Sequence, residues 1–374
     1  MPNFNYGRGR VATIVPFLVL ALLLCFYGPI KGAELTVCKM GCNYTTIGAA
    51  IESADPLDNI SIEKGNYREN LKVDKELIIQ GTGSGKVTLR PKTEGKPIIT
   101  VGPGKVKVAI RKLTVTGSRG APADRDEKIL PDGILVRGQA NLKLEEVIVA
   151  SNDSCGIRLL DNSVLEAVNS SFSYNGNACC ASGNSKLKIV DTRISGNGIV
   201  LTSSSSGSVT DSTISNHNEK GIELKDGSYL EISNSEIGTC ETCVLLSGIS
   251  FLDIANSSVE DAGDGIKLIE NSSVSIENSL LTGSTSGVDL QETATARVSD
   301  SRIKENDHGF SLIGEAKLNI RNCRVAYNDI GIRVNPGSEV KVNGCDVRFY
   351  NNFEGHTKGV PEFIEDQLQD RCED

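Results

Sequence analysis

Charged side chains of both signs recur at multiples of 22 residues in the second half of the chain. Lys267 follows Glu223 by 44 residues, Asp289 follows Lys267 by 22, and Arg333 follows Asp289 by 44. A carboxylate and an amine held together can act as general acid and base, and an arginine can neutralise an anionic substrate group. These four residues are therefore our candidate catalytic residues. Ordinary surface charge is the alternative explanation.

The four residues belong to a longer column of outward-facing positions. At the same period it reads Arg158, Cys180, Val200, Glu223, Leu245, Lys267, Asp289, Ser311 and Arg333. No adjacent trio of carboxylates occurs in it. A second column is equally mixed in charge: Glu231, Asp253, Ser275, Arg297, Asn319 and Lys341.

A charged segment, residues 117–132, interrupts the regular pattern. It contains two prolines, small residues and six charged residues that we take as candidates for the wall of a binding groove. These are Arg119, Asp124, Arg125, Asp126, Glu127 and Lys128. A solvated loop without a binding role is the alternative.

Cysteine usage predicts disulfides. The sequence has 11 cysteines, and without Cys25 the remaining number is even, which favours pairing in an exported protein. Local bridges are expected for Cys38 with Cys42 and for Cys240 with Cys243. Cys323 and Cys345 are 22 residues apart, so we expect them opposite each other at strand spacing, within reach of a disulfide.

Four other cysteines, Cys155, Cys179, Cys180 and Cys372, have no assigned partner. The spacing of Cys240 and Cys243 also fits half of a metal site, but no second pair or local histidine cluster accompanies it. We therefore expect no metal there.

The element that must position these residues is a repeat of 22 residues. Residues 221–242, 265–286 and 309–330 are similar, and Gly265, Gly287, Gly309 and Gly331 fall in one column. Each unit contains three short apolar alternations of period two, which predict three short strands. One unit cannot bury its apolar face alone, so the units must stack, with each strand pairing with its equivalents above and below.

Two polar columns accompany the strands. The first consists of Asn or Asp, which tolerate left-handed backbone at a turn: Asn169, Asp191, Asp211, Asn234, Asn256, Asn278, Asp300 and Asn322. Beside it runs a column of small residues: Ser170, Thr192, Ser212, Ser235, Ser257, Ser279, Ser301, Cys323 and Cys345. We interpret both as structural.

Residues 1–33 resemble an export signal. Arg8 and Arg10 precede the apolar run from Val11 to Tyr27, and small residues follow it; an uncleaved membrane anchor is the alternative. Removing this segment with its three basic residues would leave 36 basic against 48 acidic side chains. That balance argues against binding of nucleic acid or another anionic polymer by bulk charge; a local basic groove is the alternative. We assign residues 34–355 to the repeat with its N-terminal cap, and 356–374 to a C-terminal cap or tail.

The segment between Cys42 and Gly83 is the most specific part of the sequence. Tyr44 to Ile47 predict the start of a short helix, Ile60 to Ile62 a strand, and Gly65 to Asn70 read GNYREN. This order resembles the N-terminal cap of right-handed parallel β-helix proteins of the pectin-lyase-like superfamily, including pectinesterases and NosD-type periplasmic proteins. The resemblance implies an all-β, single-stranded right-handed parallel β-helix with a capping helix.

The same resemblance says less about activity. The chain has no Trp and lacks the motifs of pectinesterases, and Arg302-Ile303-Lys304 matches a polygalacturonase triplet without its Gly-His-Gly. Lyases of this fold use Ca²⁺ and a basic residue, so Ca²⁺ is expected only if the chain is a lyase. NosD-type copper handling is poorly supported, because few soft or imidazole ligands remain beyond cysteine.

The sequence thus predicts an exported, non-catalytic rod, in the periplasm, secreted or at the cell surface. It would present a surface to polysaccharide or a cell-surface protein, and no membrane span is expected unless residues 11–27 are retained. The alternative is an enzyme acting on acidic polysaccharide, a lyase or a hydrolase. Aromatic residues, which often stack on sugars, make up only 5% of the chain.

Overall fold

The computed structural model describes residues 32–120, 130–217, 219–359, 368 and 372. They form a right-handed parallel β-helix in which each coil contributes three short strands, and every strand pairing is parallel. We call the three columns of strands stack 1, stack 2 and stack 3, in the order in which a coil such as residues 221–242 passes through them.

Stack 1 contains the strands that follow the corner after stack 3. They are Leu71–Val73, Ile99–Val101, Ile134–Val136, Cys155–Leu159, Asn177–Ala181, Ile199–Leu201, Lys220–Leu224, the second halves of Glu236–Leu246 and Ser258–Leu268, Ser286–Leu290, His308–Leu312, Ile330–Val334 and Gly355–Lys358.

Stack 2 is a separate sheet of 14 strands. They are Glu34–Val37, Asn59–Ile62, Leu77–Gly81, Lys107–Arg111, Asn141–Glu145, Val164–Val168, Lys186–Val190, Ser206–Thr210, Tyr229–Ser233, Phe251–Ala255, Ser273–Glu277, Thr295–Ser299, Lys317–Arg321 and Lys341–Cys345.

Stack 3 completes each coil. Its strands are Gly65–Arg68, Val87–Arg90, Thr114–Thr116, Ile148–Ala150, Ser171–Ser173, Arg193–Gly196, Thr213–His217, the first halves of Glu236–Leu246 and Ser258–Leu268, Leu280–Thr282, Arg302–Lys304, Arg324–Ala326 and Arg348–Tyr350. Because the two 11-residue strands run through both stacks, stacks 1 and 3 form one 24-stranded sheet.

The core fills the inside of the coils. In the strand Tyr229–Ser233, Leu230 and Ile232 are fully buried while Glu231 is exposed, as the period of two requires. At the glycine column the next coil leaves no room for a side chain: a Cβ on Gly287 would lie 2.7 Å from the carbonyl oxygen of Gly309. The predicted repeat, its strands and its glycine column are confirmed.

The polar turn columns are structural, as predicted. All eight Asn or Asp residues of the first column have a left-handed backbone, with φ between 45° and 53°. Amides stack along the column; Asn278 Nδ2, for example, donates to Asn256 Oδ1 at 2.6 Å. In the small-residue column each backbone N–H from Ser170 to Ser279 donates to the hydroxyl one coil further on, as Ser257 N does to Ser279 Oγ at 3.2 Å. These bonds satisfy polar groups that the coils bury.

A helix covers the N-terminal end of the core. It spans Ile47–Ser53 after the N-cap Thr46, and buries Ile47, Ala50 and Ile51. The carboxylate of Glu69 accepts hydrogen bonds from the N–H groups of Ile47 and Gly48 at 2.9 and 2.8 Å, which satisfies two donors that a helix start leaves free. This cap shields apolar side chains that the first coil would otherwise expose.

Three disulfides occur among the described residues. The predicted bridge joins Cys38 and Cys42, and a second links Cys155 to Cys180 across one coil, with Cα atoms 6.0 Å apart. The third pairs Cys345 with Cys372.

The expected pairing of Cys323 with Cys345 does not occur. The coil from Lys317 to Lys341 is two residues longer than the 22-residue coil before it, so Cys345 lies opposite Arg321, and Cys323 is a buried thiol. The same insertion places Lys341 opposite Lys317 rather than Asn319. Cys240 and Cys243 are also buried thiols, because their segment continues as a strand paired on both sides instead of forming a tight turn.

Both ends of the chain extend past the described parts. Residues 1–31, which contain most of the expected export signal, lie outside the described residues, as does most of the 356–374 segment. Strand pairing continues to Lys358. Among the residues that the structure does describe, no helix is long and apolar enough to cross a membrane.

Candidate functional site

The outer face of stack 1 carries the candidate residues in successive coils. Cα pairing puts Glu223 opposite Leu245, which is followed by Lys267, Asp289, Ser311 and Arg333. A second column on the same strands runs beside the first and contains Thr242, Asp264, Ser286, His308 and Ile330. The strand register therefore brings polar side chains of two columns together over four coils.

Lys267 is the centre of one group. Its Nζ lies 3.1 Å from Asp264 Oδ2 and 3.3 Å from Asp289 Oδ2, and Gln291 Nε2 donates to the same Asp289 oxygen at 2.7 Å. Asp289 is only 5% exposed. Burial alone would lower the pKa of Lys267, but the two carboxylates outweigh it and raise that pKa above its usual value. The lysine therefore remains charged near neutral pH.

Glu223 belongs to a separate group. Lys220 Nζ and Lys225 Nζ lie 2.6 and 3.1 Å from its Oε1. Burial raises the pKa of Glu223, but these lysines outweigh that effect and hold it below the usual value. The apolar Leu245 lies between Glu223 and Lys267 in the register, so the structure does not bring Glu223 together with the other candidates.

Arg333 contacts a histidine that sequence reasoning did not place in the site. Arg333 Nη1 lies 3.0 Å from His308 Nε2. Burial and the charge of Arg333 lower the pKa of His308, against the opposing effect of Asp307, Asp329 and Glu354. The imidazole is therefore neutral at pH 7, and we infer that its Nε2 accepts a hydrogen bond from Arg333.

Together these residues form what we call the polar row: Asp264, Lys267, Asp289, Gln291, His308, Ser311 and Arg333. Its charged side chains have partners within the row, which fixes their positions. At a strand spacing of ~4.8 Å, four coils extend over roughly 14 Å. The row thus offers an extended series of hydrogen-bond donors and acceptors in defined geometry.

The sequence contained a usable signal for the residues that were missed. His308 lies 22 residues after Ser286 and 44 after Asp264, at the start of the same strands that carry the predicted column. Considering two outward positions per strand instead of one would have included Asp264 and His308. The contacts of Asp264 with Lys267 and of His308 with Arg333 depend on the direction and length of the side chains, which periodicity does not give.

Of the predicted groove-wall residues, only Arg119 is described. It is exposed and lines a cavity of about 460 Å³ on the outer side of stack 3, together with Arg68, Arg90, Lys92 and Glu94. This cavity is separate from the polar row. Asp124, Arg125, Asp126, Glu127 and Lys128 lie outside the described residues.

Within residues 32–120, 130–217, 219–359, 368 and 372, no group of three or more His, Cys, Asp or Glu side chains could hold a metal ion.

Comparison with known proteins gives a match to a family model. The model, described as a right handed beta helix region, matches residues 132–261 and 242–357, which together cover more than half of the chain. No curated protein matches the sequence of this chain.

Two solved structures have similar folds. Tailspike protein 3 of bacteriophage CBA120 gives a TM-score of 0.62 at 13% identity, over 84% of this chain and 56% of the tailspike chain. This chain therefore corresponds to little more than half of the tailspike. The A-module of the Azotobacter vinelandii mannuronan C-5 epimerase AlgE4 gives 0.54 at 14% identity, over 84% of this chain and 94% of the module. At identities this low, the structural similarity shows a common fold alone.

Proposed function

Because the chain belongs to the right-handed β-helix family, we propose that it is a rigid, exported module that binds carbohydrate on the outer face of stack 1. The observation that carries the proposal is the polar row itself. In it Asp289, almost fully buried, is held by Lys267 and Gln291, next in register to Ser311 and then Arg333.

A sugar polymer fits this arrangement because each hydroxyl both donates and accepts hydrogen bonds. The row alternates acceptors, such as Asp264 and Asp289, with donors, such as Lys267 and Arg333. Ion pairs within the row restrict these side chains before a ligand arrives, so that binding costs less conformational entropy. A rod of stacked coils adds little flexibility of its own.

The protonation states favour binding over catalysis. Lys267 is charged at neutral pH and cannot accept a proton from a substrate. Glu223 is neutralised by two lysines and lies apart from the row. A general base needs a free lone pair within hydrogen-bond reach of the substrate. Lys267 has none, and the carboxylate of Glu223, whose pKa is lowered by the two lysines, is a weak base outside the row.

One observation favours a second candidate function, cleavage of an acidic polysaccharide. His308 is neutral near pH 7 and lies beside the cation Arg333. In that arrangement Arg333 would turn from His308 Nε2 to neutralise a uronate carboxylate, and the Nε2 lone pair released in this way would accept the proton next to it. Ca²⁺ is expected only under this alternative.

Export is part of the proposal. The three disulfides fit an oxidising environment, such as the periplasm, the cell surface or the extracellular space. The ligand would then be a polysaccharide of that compartment or a glycan on a cell-surface protein.

Binding and turnover are tested together. Purified protein is titrated with dextran, xylan, alginate and polygalacturonate, and each mixture is assayed for new reducing ends and unsaturated uronate, with Ca²⁺ and with chelator. The variants are Lys267→Gln with Arg333→Gln on the row and, as control, Lys188→Gln on stack 2, which is 58% exposed.

We expect wild type and the Lys188→Gln control to bind at least one polymer, and the row variant to lose that binding. Turnover that disappears in His308→Gln would instead establish the enzyme. Equal binding by all three proteins, without turnover, would exclude the polar row as the binding site.

A further inference from the structure

Three successive strands of stack 3 each begin with an arginine. Cα pairing places Arg302 opposite Arg324, and Arg324 opposite Arg348, in three successive coils. All three side chains are exposed. Their Cα atoms follow the strand spacing of ~4.8 Å, so the three positions span roughly 10 Å. We call this set the arginine ladder.

The ladder lacks close counter-charges. Among the described residues, no carboxylate lies within 4.0 Å of the guanidinium groups of Arg302 or Arg324, and Arg348 has one, Asp346, at 3.9 Å. The carboxylate just before Arg302, Asp300, instead accepts a hydrogen bond from Asn322. Like charges directly opposite one another destabilise a sheet. The ladder persists in a chain whose formal net charge is −9.

Aromatic side chains border the ladder. The guanidinium carbon of Arg324 lies 5.4 Å from the centre of the Tyr350 ring, a cation–π distance. Tyr327 packs edge-on against Tyr350, with ring centres 5.6 Å apart, and the two rings are 38% and 49% exposed. The Tyr350 ring therefore positions the guanidinium of Arg324, and part of the surface of both tyrosine rings is exposed to solvent beside the arginines.

We propose that the arginine ladder binds a linear anionic polysaccharide through its repeated carboxylate or sulfate groups. Guanidinium pairs with both groups through charge-assisted hydrogen bonds. A single small anion can contact only neighbouring rungs, whereas a polymer with a charge on each residue contacts all three. The open tyrosine rings offer flat surfaces for sugar rings at one side of the line.

The ladder is separate from the polar row, since it lies on stack 3 and, among the described residues, only Arg348 has a carboxylate within 4.0 Å. Its ligand is anionic, while the row presents both donors and acceptors and requires no net charge on the ligand. This inference therefore goes beyond the function proposed for stack 1. The failure of either leaves the other intact.

The test measures affinity for four probes at low and moderate salt: polygalacturonate, dextran sulfate, uncharged dextran and a single-stranded thymidine oligonucleotide. The variant is R302Q/R324Q/R348Q. The control, K107Q/K186Q/K188Q, removes three exposed cations from stack 2 and so changes the net charge equally.

We expect wild type and control to bind polygalacturonate, dextran sulfate or both, more weakly as salt rises. The ladder variant should lose about tenfold in affinity, the sum of three exposed ion pairs of ordinary strength. Preference for one of the two polymers identifies carboxylate or sulfate as the recognised group.

Three results would overturn the proposal. The first is no binding of either anionic polymer by wild type, and the second is equal loss in the ladder variant and the control. The third is tighter binding of the oligonucleotide, lost on the same substitutions, which would make the ladder a nucleic-acid site.

Discussion

Stack 1 and stack 3 carry charged outer faces of opposite character. On stack 1, Lys267 and Arg333 each have a side-chain partner at 3.3 Å or less. On stack 3, Arg302 and Arg324 have no carboxylate within 4.0 Å among the described residues, and Arg348 has only a distant one. The same fold thus supports one compensated face and one uncompensated face.

Burial accounts for the difference. Asp289 is nearly buried, and a buried charge is tolerated only when it is paired. The ladder arginines are exposed, so water screens their repulsion and no internal partner is needed. A compensated, fixed row suits neutral hydroxyls, whereas a line of three cations with one nearby carboxylate among the described residues suits anions. Four variants test this contrast, beginning with the one of largest expected effect.

Asn328→Ala should have the largest effect because this residue forms the corner that both faces share. Asn328 is fully buried between the stack 3 strand Arg324–Ala326 and the stack 1 strand Ile330–Val334. Its amide donates to Ile303 O and Asn352 Oδ1, and its carbonyl oxygen accepts from Asn306. Losing these three hydrogen bonds should lower the free energy of unfolding by about 3 kcal/mol, measured in urea titrations.

The control for this corner is Asn343→Ala, an exposed position on stack 2. It should change stability by less than ~0.5 kcal/mol. Similar values for Asn328→Ala and Asn343→Ala would show that the buried amides do not hold the two faces together.

Lys267→Met should have the next largest effect, about 2 kcal/mol, because it leaves Asp289 and Asp264 without their cation. Lys188→Met, which breaks an exposed pair with Glu166, should cost less than ~0.5 kcal/mol. Equal costs, measured by urea unfolding at pH 7, would remove the distinction between compensated and uncompensated faces.

The pH dependence of the stability that the Lys267 ion pairs contribute follows from the raised pKa of Lys267. A lysine whose pKa is raised on folding contributes its full stabilisation below the ordinary value of 10.5 and loses it as the pH rises through the folded value. The difference between wild type and Lys267→Met should therefore be constant near neutrality and shrink only at alkaline pH. A difference that changes between pH 6 and 8 would point to another group.

His308 should produce a smaller effect in the acidic range. Its pKa is lowered by burial and by Arg333, so the folded state resists protonation. Its contribution is present above the ordinary histidine value of 6.5 and is lost as the pH falls through the lower folded value. Wild type should thus lose more stability than His308→Gln when the pH is lowered from 7 to 5.

The measurement is thermal unfolding across that range, with His356→Gln as a control for replacing a histidine elsewhere. Parallel pH profiles for wild type and His308→Gln would mean that His308 does not titrate against Arg333.

The ladder variant R302Q/R324Q/R348Q should show the smallest effect on stability, within ~0.5 kcal/mol and toward greater stability, because it relieves repulsion between opposed cations. Thermal unfolding at low salt would measure it. A loss of more than ~1 kcal/mol would mean that the arginines stabilise the fold, and that their placement needs no ligand to explain it.

The sequence predicted the register of stack 1 correctly because the 22-residue period does not change between Lys267 and Arg333. The same assumption misplaced Cys345 and Lys341, since the coil after Lys317 is two residues longer. Periodicity assigns a residue to a face only while the coil length holds. One insertion shifts every later column.

The chemistry was less accessible from the sequence than the fold. His308 and Arg333 are 25 residues apart and lie in adjacent stack 1 strands, where their side chains are in contact. No sequence motif encodes this contact. In the sequence, Arg302 belongs to a triplet that resembles a hydrolase motif. Its place in the ladder required the outward positions of stack 3 to be compared coil by coil.

The most direct test of the stack 1 site is a glycan array probed with three proteins: wild type, the row variant Lys267→Gln with Arg333→Gln, and the ladder variant R302Q/R324Q/R348Q. The array carries neutral and acidic oligosaccharides of several lengths. We predict that the row variant no longer binds glycans that the ladder variant still binds, and that this difference is largest for uncharged glycans. Retention of every glycan by the row variant would contradict the assignment of carbohydrate binding to stack 1.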